Sequence, residues 1–272
     1  MQRFVRPAAF LGCAVMMLAA MPGQAQTVQG HSRVTLLPGW AEGPNSYVAA
    51  VQVELGRGWK TYWRSPGMGG IPPQFDWSGS TNIEAVEVLW PTPEIFHTYG
   101  MQNIGYTDRV IFPMRLTLSD GAEDAFAELR MSYGVCADIC IPAEAAMRGP
   151  LPVAQAANEA VIGAAIADAA VAGSEAGLTS VACRLAPSEA EGDFGLAAEL
   201  AFDEPLGSVP VTVFEIADPD LWIEPAETKA QAGQVAARSN LTYFGEGALG
   251  VSRKDINISL ILPERVSEIR GC

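Results

Sequence analysis

The stretch "YVAAVQVEL", residues 47–55, decides the fold class of this chain. Its odd positions are the more apolar, and its even ones include Gln52 and Glu54, which is the period-two pattern of a half-buried β-strand. Val110, Phe112, Met114, Leu116 and Leu118 repeat that pattern opposite Arg115 and Thr117, and residues 126–133 give a third, less regular case. Turn chemistry separates the runs: Gly56-Arg57-Gly58, the Gly/Pro stretch over 65–73, and Ser119-Asp120-Gly121. Many short strands with such turns, and no alternation with helices, predict an all-β antiparallel sandwich.

Downstream, the texture changes and then returns. Over 153–177 alanine dominates, with Ala156, Ala160, Ile162, Ala165, Ile166, Ala169 and Ala170 at helical spacing, which predicts a short helical linker. Strand patterns resume at 178–185, 195–202, 209–216 and 256–262, so residues 178–272 read as a second β-sandwich domain. The first domain then occupies 26–152.

Residues 1–25 read as a signal peptide: Arg3 and Arg6, a short apolar run, then Gly23-Gln24-Ala25. Its removal would leave 272 − 25 = 247 residues, enough for two domains, and would take Cys13 with it. It carries two arginines and no acid, so the net charge would sharpen from −14 to −16, which disfavours nucleic acid and anionic membranes as partners. No later stretch has the length and apolarity of a membrane helix. The implied compartment is oxidising, where thiols pair.

Four cysteines follow the leader: Cys136, Cys140, Cys183 and Cys272. Three connectivities are open to them. The simplest places a structural disulfide between Cys183, in the first strand of the second domain, and Cys272, the last residue, with a free C-terminal thiol or an intermolecular bridge as alternatives. No P-loop, dinucleotide fingerprint, HExxH or GxSxG is present, and His31 and His97 are the two histidines, so hydrolase and multi-histidine metal chemistry rank low.

The remaining pair lies in "YGVCADICIP", residues 133–142. In a straight strand Cys136 and Cys140 would stand about 13 Å apart, beyond the roughly 7 Å that a disulfide spans, so the chain must bend at Ala137-Asp138-Ile139. A bridge over so small a ring removes little unfolded-state entropy, which favours chemistry over stapling. No Lys or Arg lies near the pair between 131 and 147, while Asp138 sits inside it, so nothing local stabilises a thiolate and the pair reads as a reductant or middle carrier.

The segments "GWKTYWRSPGMGGIPPQFDW" (58–77), "IGYTDRVIFPMRLTL" (104–118) and "YGVCADICIP" occur in an order that resembles the periplasmic N-terminal region of the DsbD and ScsB thiol–disulfide interchange proteins. The resemblance covers about residues 30–152, and the second half is similar, with weaker motifs, to the second periplasmic domain of ScsB-type proteins. It implies an immunoglobulin-like sandwich in the periplasm, with activity like a protein-disulfide reductase. Cys140 would exchange with the partner's sulfur and Cys136 would resolve the mixed disulfide. It also implies a cap loop near "FHTYGM", where Thr98 stands at the family's shielding phenylalanine, so that Phe96 or Tyr99, with His97 beside them, are the cap and partner-contact candidates. The implied partners are thioredoxin-like or disulfide-isomerase-like proteins, with a separate membrane protein as electron donor and no resident cofactor.

Two other readings use the same residues. Paired thiolates with Met68, Met101 and His97 suit Cu(I), which would make this a copper-tolerance protein. Alternatively both sandwiches serve recognition, as a scaffold whose bridges stay closed. Trp59, Tyr62 and Trp63 read as packing and edge-strand aromatics that could also form a docking surface.

Overall fold

The computed structural model describes residues 26–28, 30–98, 100–122, 124–188 and 192–272. The leader expected over 1–25, including Cys13, and the cap candidate Tyr99 lie outside the described residues. Eleven strands build the first half: β1 (Gln26–Val28), β2 (Ser32–Gly43), β3 (Ser46–Leu55), β4 (Lys60–Gly67), β5 (Gln74–Asp76), β6 (Ile83–Val88), β7 (Glu94–Thr98), β8 (Met101–Thr107), β9 (Arg109–Leu118), β10 (Ala125–Cys136) and β11 (Cys140–Leu151). They form two facing sheets, β1-β2-β3-β9-β6 and β11-β10-β4-β8-β7, with β5 added at β10. The result is an all-β, immunoglobulin-like sandwich.

Residue alternation fills its core. Tyr47, Ala49, Val51 and Val53 from β3 meet Trp63, Phe112, Leu129 and Met147, all fully buried. The other face of β3 departs from the half-buried expectation, because Val48 and Ala50 are buried too. Helix α1 (Glu159–Ala167) lies over them and seals a small cluster of Val48, Ala50, Ile111 and Ile162.

The alanine-rich segment thus packs on the first sandwich. Only nine of its residues are helical, flanked by Asn158 in a left-handed conformation at the N-cap and by Asp168 at the C-cap. So short a helix is marginal in water and owes its stability to packing, here through the buried Ile162. Asn158 Nδ2 donates to the Pro38 carbonyl at 2.7 Å and ties the helix start to β2. Beyond it, β12 (Val171–Ala172) pairs with a strand of the next sandwich.

That second sandwich contains β13 (Leu178–Pro187), β14 (Asp193–Phe202), β15 (Val211–Ile216), β16 (Leu221–Ile223), β17 (Glu227–Gln231), β18 (Gln234–Tyr243), β19 (Ile256–Leu262) and β20 (Arg265–Arg270). Its sheets run β12-β20-β19-β15 and β13-β14-β18-β16, with β17 on β18. Leu200, Phe214, Leu241, Ile258 and Leu260 are among its buried residues. A disulfide joins Cys183 on β13 to Cys272, with Cα atoms 5.5 Å apart.

The two sandwiches are in apolar contact. Ile261 and Val266 of the second are buried in the same cluster as the core of the first, and Val211 and Val213 of β15 pack against it.

Candidate functional site

Strands β10 and β11 pair along their whole length, and the last pair in register is Cys136 with Cys140. Residues 137–139 make the turn, closed by the Ala137 N–H donating to the Ile139 carbonyl at 3.1 Å. This is the bend that the spacing of the cysteines requires. It brings their Cα atoms to 4.1 Å, and a disulfide joins them.

The two sulfurs sit in unequal surroundings. Cys136 is 3% exposed, whereas Cys140 is an exposed residue next to Ile139, itself 67% exposed. The odd residues of β10 from Ala125 to Val135 fill the core, which leaves Gly134 and Cys136 on the opposite face of the sheet. Both are nevertheless buried, Gly134 because the Gly/Pro loop over 65–73 folds back onto it through Ile71.

That roof is built from β4 and the loop that follows. On β4, Lys60 and Tyr62 share one face and Thr61 and Trp63 the other, so Trp63 enters the core while Tyr62 faces the cysteines. Tyr62 Oη lies 3.3 Å from Cys140 Sγ. A disulfide sulfur carries no hydrogen, so the hydroxyl is the donor. Burial pushes the Tyr62 phenol up, which keeps it protonated and able to donate.

The Gly69 carbonyl oxygen lies 3.9 Å from the same sulfur, and the Gly134 N–H donates to the Ile71 carbonyl at 3.1 Å. Two glycines make this closeness possible. A Cβ on Gly70 would stand 2.5 Å from Tyr62 Cδ1, and one on Gly134 would stand 2.8 Å from the Ile71 Cβ.

Lys60 pairs in register with Cys136, so its side chain leaves the same face of the sheet, and the Tyr62 donor reaches Cys140 from 78 residues upstream. A hydrogen-bond donor thus reaches Cys140, and a lysine whose ammonium lies over Phe96 leaves the sheet opposite Cys136, both supplied by a strand distant in sequence. A local window around the cysteines contains neither. The signal that could have found them is the period-two alternation of "WKTYW", which places Lys60 and Tyr62 together and apart from Trp63.

The other candidates are placed less centrally. Phe96, half-buried on β7, stands 6.2 Å from the Tyr62 ring, with Lys60 Nζ 4.7 Å above its own ring. His97 is exposed. Trp59 stacks on His31 at 3.9 Å, and Met68 and Met101 are 51% and 36% exposed on the loop and strand bordering Gly69. Among the described residues, no three His, Cys, Asp or Glu side chains converge on a metal-sized site, and no helix is long and apolar enough to cross a membrane. Cys183 and Cys272 belong to the second sandwich, whose bridge spans 89 residues.

Comparison with known proteins agrees with this geometry. Residues 24–152 match the family described as thiol:disulfide interchange protein DsbD, N-terminal. The crystal structure of the N-terminal periplasmic domain of ScsB from Proteus mirabilis has a similar fold, with a TM-score of 0.66 and 19% identity over 91% of this chain and 96% of that one. No curated protein matches the chain. Residues 24–152 therefore form a DsbD-type N-terminal domain, which supports a role related to thiol–disulfide interchange.

Proposed function

We propose that the protein is a periplasmic carrier that passes two electrons to oxidised partner proteins through Cys136 and Cys140. The observation that supports this reading is the asymmetry of the pair: one exposed sulfur under a hydroxyl donor, and one buried sulfur directly behind it.

In the reduced protein, the Cys140 thiolate attacks one sulfur of a partner disulfide. The partner's other sulfur leaves as a thiolate and takes a proton, and a mixed disulfide remains. Cys136, held at the register position opposite Cys140, loses its proton and attacks the Cys140 sulfur, which releases the partner's second thiolate. The partner gains two electrons, and the carrier ends in the bridged form. A separate donor dithiol must then reduce it. Tyr62 steadies the Cys140 thiolate at the start and as it leaves when the donor resets the pair. The partners fitting this chemistry are thioredoxin-like or disulfide-isomerase-like proteins that present an accessible disulfide.

The test equilibrates the protein, from which residues 1–25 have been removed, in graded dithiothreitol buffers, traps thiols with a mass-tagging alkylator, and maps each cysteine by peptide mass. Reversible opening of Cys136–Cys140 while Cys183–Cys272 stays closed is the expected result. Cys136→Ser should then accumulate a mixed disulfide with an oxidised thioredoxin-like protein, and Cys140→Ser should not. A short bridge that resists reduction as stubbornly as the long one would refute the carrier. In that case near-stoichiometric Cu(I) binding, lost in either cysteine variant, would identify the copper reading instead.

A further inference from the structure

Strand β4 connects the candidate site to the second sandwich. Lys60, Thr61 and Tyr62 pair with β8, and pairing resumes only at Gly67 with Asn103, so residues 63–66 bulge out of the ladder. The pairing with β10 involves Lys60 alone. The sheet therefore does not fix the path of this segment.

Arg64, in the middle of the bulge, is fixed from the other sandwich. Its Nε and Nη2 donate to the two carboxylate oxygens of Glu215 on β15, each at 2.9 Å. Its Nη1 lies 2.7 Å from Glu268 Oε1 on β20, and Nη2 also donates to Ser259 Oγ on β19 at 3.0 Å. The guanidinium rests 4.2 Å from the Trp63 ring centroid. A planar fork held by two carboxylates and a hydroxyl has one orientation, which a loose surface pair would lack.

The bulge lies between the two groups that touch Cys140. Tyr62 precedes it and Gly69 follows it, and Gly70 packs on the Tyr62 ring. Moving Arg64 would therefore move both contacts to one sulfur.

We propose that Arg64, clamped by Glu215 and Glu268, is a positioning residue through which the second sandwich holds Tyr62 and the 65–70 loop on Cys140. The second sandwich then sets the reactivity of a thiol that it does not touch. This rests on the reading of Cys140 as the exchanging thiol.

The experiment measures the rate of Cys140 alkylation by iodoacetamide against pH in the fully reduced protein, for the parent, Tyr62→Phe, Arg64→Lys and Glu215→Gln/Glu268→Gln. Tyr62→Phe should raise the titration midpoint of Cys140 by about one pH unit, the size expected when one hydrogen bond to a charged group is lost. Glu215→Gln/Glu268→Gln should reproduce most of that rise although it leaves Tyr62 in place. Its limiting rate at high pH should be equal or higher, because the loop opens. Arg64→Lys, which keeps the charge and loses the fork, should fall between the parent and Glu215→Gln/Glu268→Gln.

A Glu215→Gln/Glu268→Gln profile that superimposes on the parent, in a variant whose thermal transition has dropped, would overturn the proposal and leave a clamp that only joins the sandwiches. That outcome leaves the carrier reading intact, since Cys140 still titrates and reacts. Failure of that reading shows up separately, as a Cys136–Cys140 bridge that reductant does not open in the parent.

Discussion

Removing each disulfide in turn asks whether the short bridge is a staple. In the chain-entropy view, a bridge stabilises by restricting the unfolded chain, and the effect grows with the logarithm of the loop that it closes. Cys183–Cys272 spans 89 residues and Cys136–Cys140 spans four, which gives about 4.6 and about 2 kcal/mol respectively. With a urea slope near 1.5 kcal/mol per molar for a domain of this size, Cys183→Ala/Cys272→Ala should lower the urea midpoint by about 3 M. Opening only the short bridge with dithiothreitol should lower it by about 1 M. Equilibrium unfolding followed by far-UV circular dichroism supplies both numbers, with the short bridge opened chemically so that no cavity is created at the buried Cys136. Equal losses, or a larger loss on opening the short bridge, would refute the division into one structural and one working disulfide.

Three other outcomes follow from particular contacts. In the fully reduced protein, Cys140 should be alkylated on the order of ten times faster than Cys136, which is 3% exposed, and peptide mapping after a timed quench reads the ratio. Gly105→Ala should cost about 3 kcal/mol, because the new Cβ would overlap the Thr61 carbonyl oxygen and stand 2.9 Å from Tyr62 Cα, both backbone atoms of β4; a urea midpoint within error of the parent would contradict this. Burial raises the Tyr47 phenol to about 12 from its ordinary value of 10. The folded state therefore holds that proton more tightly than the unfolded chain. The associated stability, at most about 2–3 kcal/mol, is fully present below about pH 10 and is lost as pH rises toward about 12. Tyr47→Phe should flatten the dependence of the urea midpoint over that window.

The candidate site is where local reading and three-dimensional placement separate most clearly. The two cysteines, their need for a bend and the turn residues between them are all legible within ten residues, because a tight hairpin is local geometry. Tyr62 and Lys60 were legible only as members of an aromatic-rich strand. Their approach to the pair depends on β4 lying beside β10 in the sheet, a pairing between residues more than seventy positions apart. The loop over 65–73 reads as a connection, and its role as a roof depends on Gly70 and Gly134 admitting close contacts that a sequence pattern does not encode.

By itself, the sequence determined the all-β class, the strand periodicity of both halves and the cysteine pair, since alternation and turn chemistry act within a few residues. Its likeness to DsbD-type segments carried the immunoglobulin-like fold and the class of chemistry, thiol–disulfide interchange. Only the tertiary structure decided that the alanine-rich helix covers β3, that the Tyr62 hydroxyl reaches Cys140, and that Arg64 ties the Tyr62 strand to Glu215 and Glu268. Each of these depends on which strands become neighbours and on which face stays uncovered. Long-range pairing settles both, and no local window of the chain contains that information.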